Sequence, residues 1–146
     1  MLRNFLKFFT RPDHASAANG RCILVVEDGE GERRVISTTL DKRGYAVTAV
    51  ETGEAGLEAA GRQKFDLILL DYKLPGINGK EVCRRLKADT RTKDIPVIFL
   101  TGSMAPGDII DCYDVGAEYY LSKPISAKML IKQVDMIFSE IAAFVR

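Results

Sequence analysis

Five residues stand out for what their types and spacing could do: Glu27, Asp28, Asp71, Thr101 and Lys123. Glu27 and Asp28 follow the apolar run CILVV at 22–26, and Asp71 follows FDLILL at 65–70. Thr101 follows IPVIFL at 95–100. Lys123 follows EYYLS at 118–122 and directly precedes Pro124. Three carboxylates gathered in one place repel each other and raise each other's pKa unless a cation sits among them. Mg²⁺ suits an all-oxygen site with few protein ligands and several waters. In such a site Asp71 could attack phosphorus as a nucleophile and form an acyl phosphate. Mg²⁺ and the Lys123 ammonium would balance the charge of the transferring group. The Thr101 hydroxyl could hydrogen-bond one of its oxygens.

Bringing these residues together is the work of the elements between them. From Cys22 onward, short apolar runs alternate with helical patterns. The runs at 22–26, 45–50, 65–70, 95–100 and 118–122 read as strands. Helices are predicted over about 31–43, 52–62, 79–88, 106–115 and 126–144, from apolar periodicity and from start and stop residues. Thr52 and Ser126 suit caps, Gly44 suits a stop, and Pro106 suits a first turn. Strands that are apolar throughout are buried on both faces, which calls for a parallel sheet with helices on each side. The expected fold is a doubly wound α/β sandwich with five parallel strands in the order 2-1-3-4-5. All the singled-out residues then lie at carboxyl ends of strands, along one edge of the sheet. Ligands bind at that edge where the strand order reverses, between strands 1 and 3.

Composition narrows the alternatives. The chain has 146 residues, 47% hydrophobic and 28% charged, which suits one globular domain and leaves little room for a second, so no DNA-binding output domain is expected. The net charge of +1, with both signs spread along the chain, argues against nucleic acid as the main partner. His14 is the only histidine and lies outside the apolar body of the chain, which argues against a His-based metal centre or Ser-His catalysis. Cys22, Cys83 and Cys112 are odd in number and form no CxxC, so they read as packing thiols of a cytoplasmic protein. No apolar run reaches the roughly 20 residues that span a bilayer.

Together, VVED at 25–28, LLDYKLPGING at 69–79, LTG at 100–102 and YYLSKP at 119–124 resemble the receiver domain of two-component response regulators, of the CheY-like type. The likeness covers about residues 22–142, and the receiver unit is taken as 21–146. Each motif alone is weak, but in this order, each after its strand, they are specific. The resemblance implies that Glu27 and Asp28 hold Mg²⁺ with Asp71, the phosphoacceptor, and with the backbone carbonyl of Lys73. It implies that Thr101 is the switch hydroxyl, Tyr120 the switch aromatic and Lys123 the family lysine, with a bond to Pro124 that is often cis. Tyr119 and Tyr120 alternate along strand 5, so one ring is expected to face inward and the other outward. The implied partners are a sensor histidine kinase or a histidine phosphotransfer protein, and a downstream protein reading the face of helix 4, strand 5 and helix 5. Self-phosphorylation and dephosphorylation would make the chain a phosphoacceptor switch rather than an enzyme. Apart from the resemblance, a second copy of the chain is a further candidate partner. Two positions depart from the common pattern: Glu27 stands where many members have Asp, and Asn78 replaces the Asp often found before Gly79.

Each residue also has an ordinary reading: Asp71 as a turn residue, Glu27 or Asp28 as a cap of the first helix, Thr101 as a loop hydroxyl, Lys123 as a solvated lysine, Tyr120 as a packed ring. Their coincidence at four strand ends favours the chemical reading. An aspartate-nucleophile phosphohydrolase of the haloacid-dehalogenase type also uses Asp, Thr, Lys and Mg²⁺. It places its nucleophile after the first strand in a DxD pattern, whereas here the acceptor follows strand 3 and Lys73 stands two residues on. A receiver-like module that has lost phosphate chemistry is disfavoured by the complete acidic set.

Residues 1–20 remain open. Leu2, Phe5, Leu6 and Phe9 share one helical face, with Arg3, Lys7 and Arg11 around it. A tail, a helix docked on this domain or on a second copy, and a membrane-surface contact by residues 1–11 rank in that order. PDHASAANG reads as a linker.

Overall fold

The computed structural model describes residues 20–102 and 105–145. The expectations for the basic, apolar stretch and nearly all of its linker therefore lie outside the described residues. Five strands alternate with five helices: β1 (Cys22–Val26), α1 (Glu30–Lys42), β2 (Ala46–Val50), α2 (Gly53–Arg62), β3 (Leu67–Leu70), α3 (Gly79–Ala88), β4 (Val97–Thr101), α4 (Pro106–Asp114), β5 (Tyr119–Ser122) and α5 (Ala127–Val145). All neighbouring strands pair in parallel, in the order β2-β1-β3-β4-β5.

Period-two side-chain alternation splits the core into two layers. Ile23, Val25, Leu67, Leu69, Ile98 and Leu100 pack with Ile36 and Leu40 of α1 and Leu130, Val134, Ile137 and Phe138 of α5. Leu24, Val26, Ile68, Leu70, Val97 and Phe99 pack on the other side, against α2, α3 and α4. The strand residues of both layers are buried, and β1, β3 and β4 carry apolar residues at successive positions.

Element bounds differ from the sequence reading by one or two residues, with identifiable causes. Pro96 has no amide proton to donate to the ladder, so β4 begins at Val97 and runs one residue further, through Thr101. Tyr45 and Phe65 are buried but precede the paired segments of β2 and β3. Thr52 caps α2 by accepting the Ala55 amide at 3.1 Å, and Ser126 accepts the Met129 amide at 3.1 Å. The two adjacent tyrosines of β5 point to opposite faces, Tyr119 toward the α1/α5 layer and Tyr120 toward the other. The expected split into one inward and one outward ring does not hold, because each ring lies under a helical layer. Helices cover both faces, and both rings are half-buried.

At the amino ends of β4 and β5 a polar clamp joins the strands. The Lys87 ammonium donates to the Ile95 carbonyl at 2.7 Å, the Lys93 carbonyl at 3.2 Å and the Glu118 carboxylate at 2.8 Å. The other oxygen of Glu118 accepts the Val97 amide at 2.6 Å, and the Glu118 amide donates to the Val97 carbonyl at 3.0 Å.

None of the three cysteines is in a disulfide, and all are buried. Burial pushes the thiols up, to about 11 for Cys22 and Cys112 and about 12 for Cys83. Only the thiolate reacts, and near pH 8 it is on the order of one thiol in a thousand or fewer. Iodoacetamide at that pH is expected to leave the native protein unmodified over an hour and to label all three thiols in denaturant. Native labelling should rise as pH climbs toward 11. Rapid native labelling at pH 8, read by intact mass, would contradict this packing.

Candidate functional site

Parallel register delivers the acidic residues to one place. Val26 pairs with Leu70, so the next residues on each strand, Glu27 and Asp71, leave the sheet side by side. The Asp71 amide donates to the Val26 carbonyl, and the Glu27 amide to the Val50 carbonyl, both at 3.0 Å. Glu27 and Asp71 are buried and Asp28 is exposed. One oxygen from each of these three carboxylates lies within 4.8 Å of those of the other two. That all-oxygen donor set, open on the Asp28 side, fits a hard divalent cation that keeps part of its water shell. Neither Glu27 nor Asp28 caps α1. The cap position is Gly29, whose amide is taken by the Glu27 Oε2 at 3.2 Å.

Lys123 enters from the opposite side. Its backbone amide donates to the Thr101 carbonyl at 2.7 Å, which extends the β4–β5 ladder past the Thr101–Ser122 pair. The peptide bond to Pro124 is cis. The ammonium ion-pairs with Glu27, with Glu32 at 2.5 Å and with Asp71 Oδ2 at 3.2 Å. Thr101 is 1% exposed, at the same edge, two residues beyond Phe99, the β4 partner of Leu70.

The electrostatics follow from crowding carboxylates in a partly dry place. Burial pushes the Glu27 carboxyl up to about 8, against the opposing pull of the Lys123 ammonium. The neighbouring Asp71 and Glu32 carboxylates add to the rise. Burial alone would lower the Lys123 ammonium, but Glu27, Glu32 and Asp71 outweigh it and hold the group above its usual range. Glu32 is held below the ordinary carboxylate range by Lys123 and Glu27.

The loop after β3 is fastened at several points. The Lys73 amide donates to Asp71 Oδ1 at 3.2 Å, so both oxygens of Asp71 have partners. The Ile77 amide donates to Glu54 of α2 at 2.9 Å, and the Gly79 amide to the Tyr72 carbonyl at 2.9 Å. Asn78 caps α3 by accepting the Glu81 amide at 2.9 Å, which gives a structural role to the residue that departs from the common Asp. At Gly79 a Cβ would lie 2.2 Å from the Asp71 carbonyl oxygen. Arg33 Nη1 donates to the carbonyls of Glu27 and Asp28, at 2.9 and 3.2 Å.

Of the residues singled out in the sequence, Glu27, Asp28, Asp71 and Lys123 converge, Lys73 touches Asp71 through its amide, and Thr101 stands beside Lys123. Tyr120 lies on β5 with its ring in the α2–α4 layer. Glu32, Arg33 and Glu54 escaped the sequence reading, and Gly79 entered it only as the end of a motif and the start of a helix. A cleft of about 730 Å³ opens beside Lys123, lined in part by Glu32, Val35, Ile36, Leu100, Pro124 and Ile125. Among the described residues no helix is long and apolar enough to cross a membrane.

Comparison with known proteins agrees with this geometry. The family model described as response regulator receiver domain matches residues 23–135. The chain is 42% identical, over 77% of its length, to the uncharacterized transcriptional regulatory protein YkoG of Bacillus subtilis, and spans 48% of that protein. It likewise spans about half the length of other curated relatives it matches. Over 80% of its length it is 33% identical to protein PilH of Pseudomonas aeruginosa, and there the match covers 97% of the relative. Among solved structures, the receiver domain of sensor histidine kinase PA1611 from P. aeruginosa PAO1 superposes with a TM-score of 0.74 at 34% identity, over 80% of this chain and 95% of that one. That structure has a magnesium ion coordinated in its active-site cleft.

Proposed function

The chain belongs to the response regulator receiver family, and from that membership we propose that residues 21–146 form a phosphoacceptor switch in which Asp71 takes a phosphoryl group from a phosphohistidine donor. Proteins of this family act as phosphoacceptor switches that interact with histidine kinases or phosphotransfer proteins. The observation that carries the reading is the convergence of Glu27, Asp28, Asp71 and Lys123 at the point where strand order reverses.

An Asp71 carboxylate oxygen forms the new P–O bond as the P–N bond to the donor imidazole breaks. The imidazole keeps the electron pair and takes a proton from solvent. Lys123, already 3.2 Å from Asp71, balances charge on the transferring group. Thr101, at the same edge, offers its hydroxyl to a phosphoryl oxygen. Glu27, Asp28 and Asp71, with the Lys73 carbonyl, would hold Mg²⁺. Bound there, Mg²⁺ supplies positive charge that offsets both the carboxylates and the incoming phosphoryl oxygens. Magnesium in the cleft of the related PA1611 receiver supports the choice of ion.

The phosphorylated form then favours a second arrangement of Thr101 and Tyr120, which alters the face built from α4, β5 and α5 for a protein partner. Incubation with a small phosphodonor and Mg²⁺ should add one phosphoryl mass to the protein, stable in acid and labile in base, on the peptide that contains Asp71. Chelating the metal should lower the rate by two orders of magnitude or more, on the order of what charge stabilisation contributes to phosphoryl transfer. Absence of label under saturating donor and Mg²⁺ would overturn the proposal.

A further inference from the structure

Among the described residues, Glu32 is the one carboxylate in contact with Lys123 that the acceptor chemistry leaves without a task. It sits three residues after Gly29, the cap position of α1, where a Glu ordinarily reaches back to the cap residue's own amide. Here that amide is already bonded to Glu27. The Glu32 side chain instead crosses to Lys123, with Oε2 2.5 Å from the ammonium. This contact is shorter than the 3.2 Å from Lys123 to Asp71. The Glu32 side chain is 58% exposed, against 3% for Glu27 and 9% for Asp71, so it stands at the solvent mouth of the site. It also lines the cleft beside Lys123.

We infer that Glu32 is a positioning residue that engages Lys123 in the resting state and acts as an electrostatic brake on phosphorylation. The inference rests on Asp71 being the acceptor. Two effects combine in one carboxylate. It occupies the ammonium that must turn to the phosphoryl oxygens, and it places negative charge on the path of an anionic donor. As the phosphoryl group reaches Asp71, Lys123 exchanges Glu32 for a phosphoryl oxygen. No covalent step is added. Because Glu32 is largely exposed, its effect is modest and salt-dependent.

The test compares the full-length wild type with Glu32→Gln and Glu32→Asp at saturating Mg²⁺, using two donors of different charge. With acetyl phosphate, a dianion near neutral pH, the Gln variant should label about threefold faster or more at low ionic strength. The gain should shrink as salt is raised past about 0.5 M. It should be smaller with phosphoramidate, which carries less negative charge. Glu32→Asp, which keeps the charge, should label more slowly than the Gln variant. A merely structural role for Glu32 would not produce a gain that depends on donor charge and on salt. A labelled wild type with an equal or slower Gln variant overturns this inference alone. A wild type that takes no label from either donor overturns the assignment of Asp71, and the brake with it.

Discussion

An Asp71→Asn protein is expected to take no phosphoryl label, a fall in rate of roughly 1,000-fold or more. The amide oxygen is neutral and a poor nucleophile toward phosphorus, and the cluster proposed to hold Mg²⁺ loses one of its three carboxylates. The rest of the site should survive. Glu27, Glu32 and Asp71 all ion-pair with the same ammonium, so removing one negative charge relieves repulsion as well as losing an attraction. One oxygen of Asp71 accepts from Lys73 and the other from Lys123, and the single oxygen of Asn can serve only one of these donors. These effects oppose each other, and the melting transition should stay within about 1 kcal/mol of wild type. Loss of label with the fold intact can be read by intact mass and circular dichroism on the same sample. Persistent label at the same stoichiometry would sink the assignment of Asp71.

The second large effect belongs to Gly79. An alanine there would put its Cβ 2.2 Å from the Asp71 carbonyl oxygen, 2.8 Å from the Tyr72 Cα and 3.0 Å from the Asp71 carbonyl carbon. All three are backbone atoms, so no rotamer change relieves the contact. The first turn of α3 and the end of β3 would have to separate. Gly79→Ala should cost about 3 kcal/mol in urea unfolding. The backbone that must move carries the acceptor, so Mg²⁺ affinity and labelling should fall together in the fraction that stays folded. Gly31→Ala is the control. It lies in the first turn of α1 with no atom beyond its chain neighbours and its own helix backbone within 4 Å of the added carbon, and should be neutral or stabilising by about 0.5 kcal/mol. A Gly79→Ala protein as stable as wild type would show that the loop accommodates the methyl group.

The difference between what the sequence disclosed and what it hid comes down to range. Strand order and the shared edge followed from local patterns: continuous apolar runs at β1, β3 and β4, and polar residues at their carboxyl ends. The carboxylate cluster was legible because register multiplies one local fact, the end of a strand, into a three-dimensional one. Glu32 was not legible. On the sequence it is one more acidic residue in the exposed first turn of a helix, and only the orientation of α1 against β5 turns it toward Lys123. Glu54 was hidden for the same reason, since its bond to the Ile77 amide spans two elements. Gly79 read as the start of a helix, while its actual constraint is space beside the Asp71 backbone. Asn78 showed no consequence in sequence because its partner is a backbone amide, which every sequence contains.

The clamp of Lys87 and Glu118 has a mechanical implication for the opposite end of the same two strands. It fastens β4 to β5 at Val97, where both the amide and the carbonyl are held. Thr101 lies four residues further on, roughly 13 Å away at the rise of a strand. From Val97 the ladder continues through the Thr101–Ser122 pair to the Lys123 amide, so the two strands are fastened at both ends, and a shift of one strand must carry Thr101 and Lys123 together.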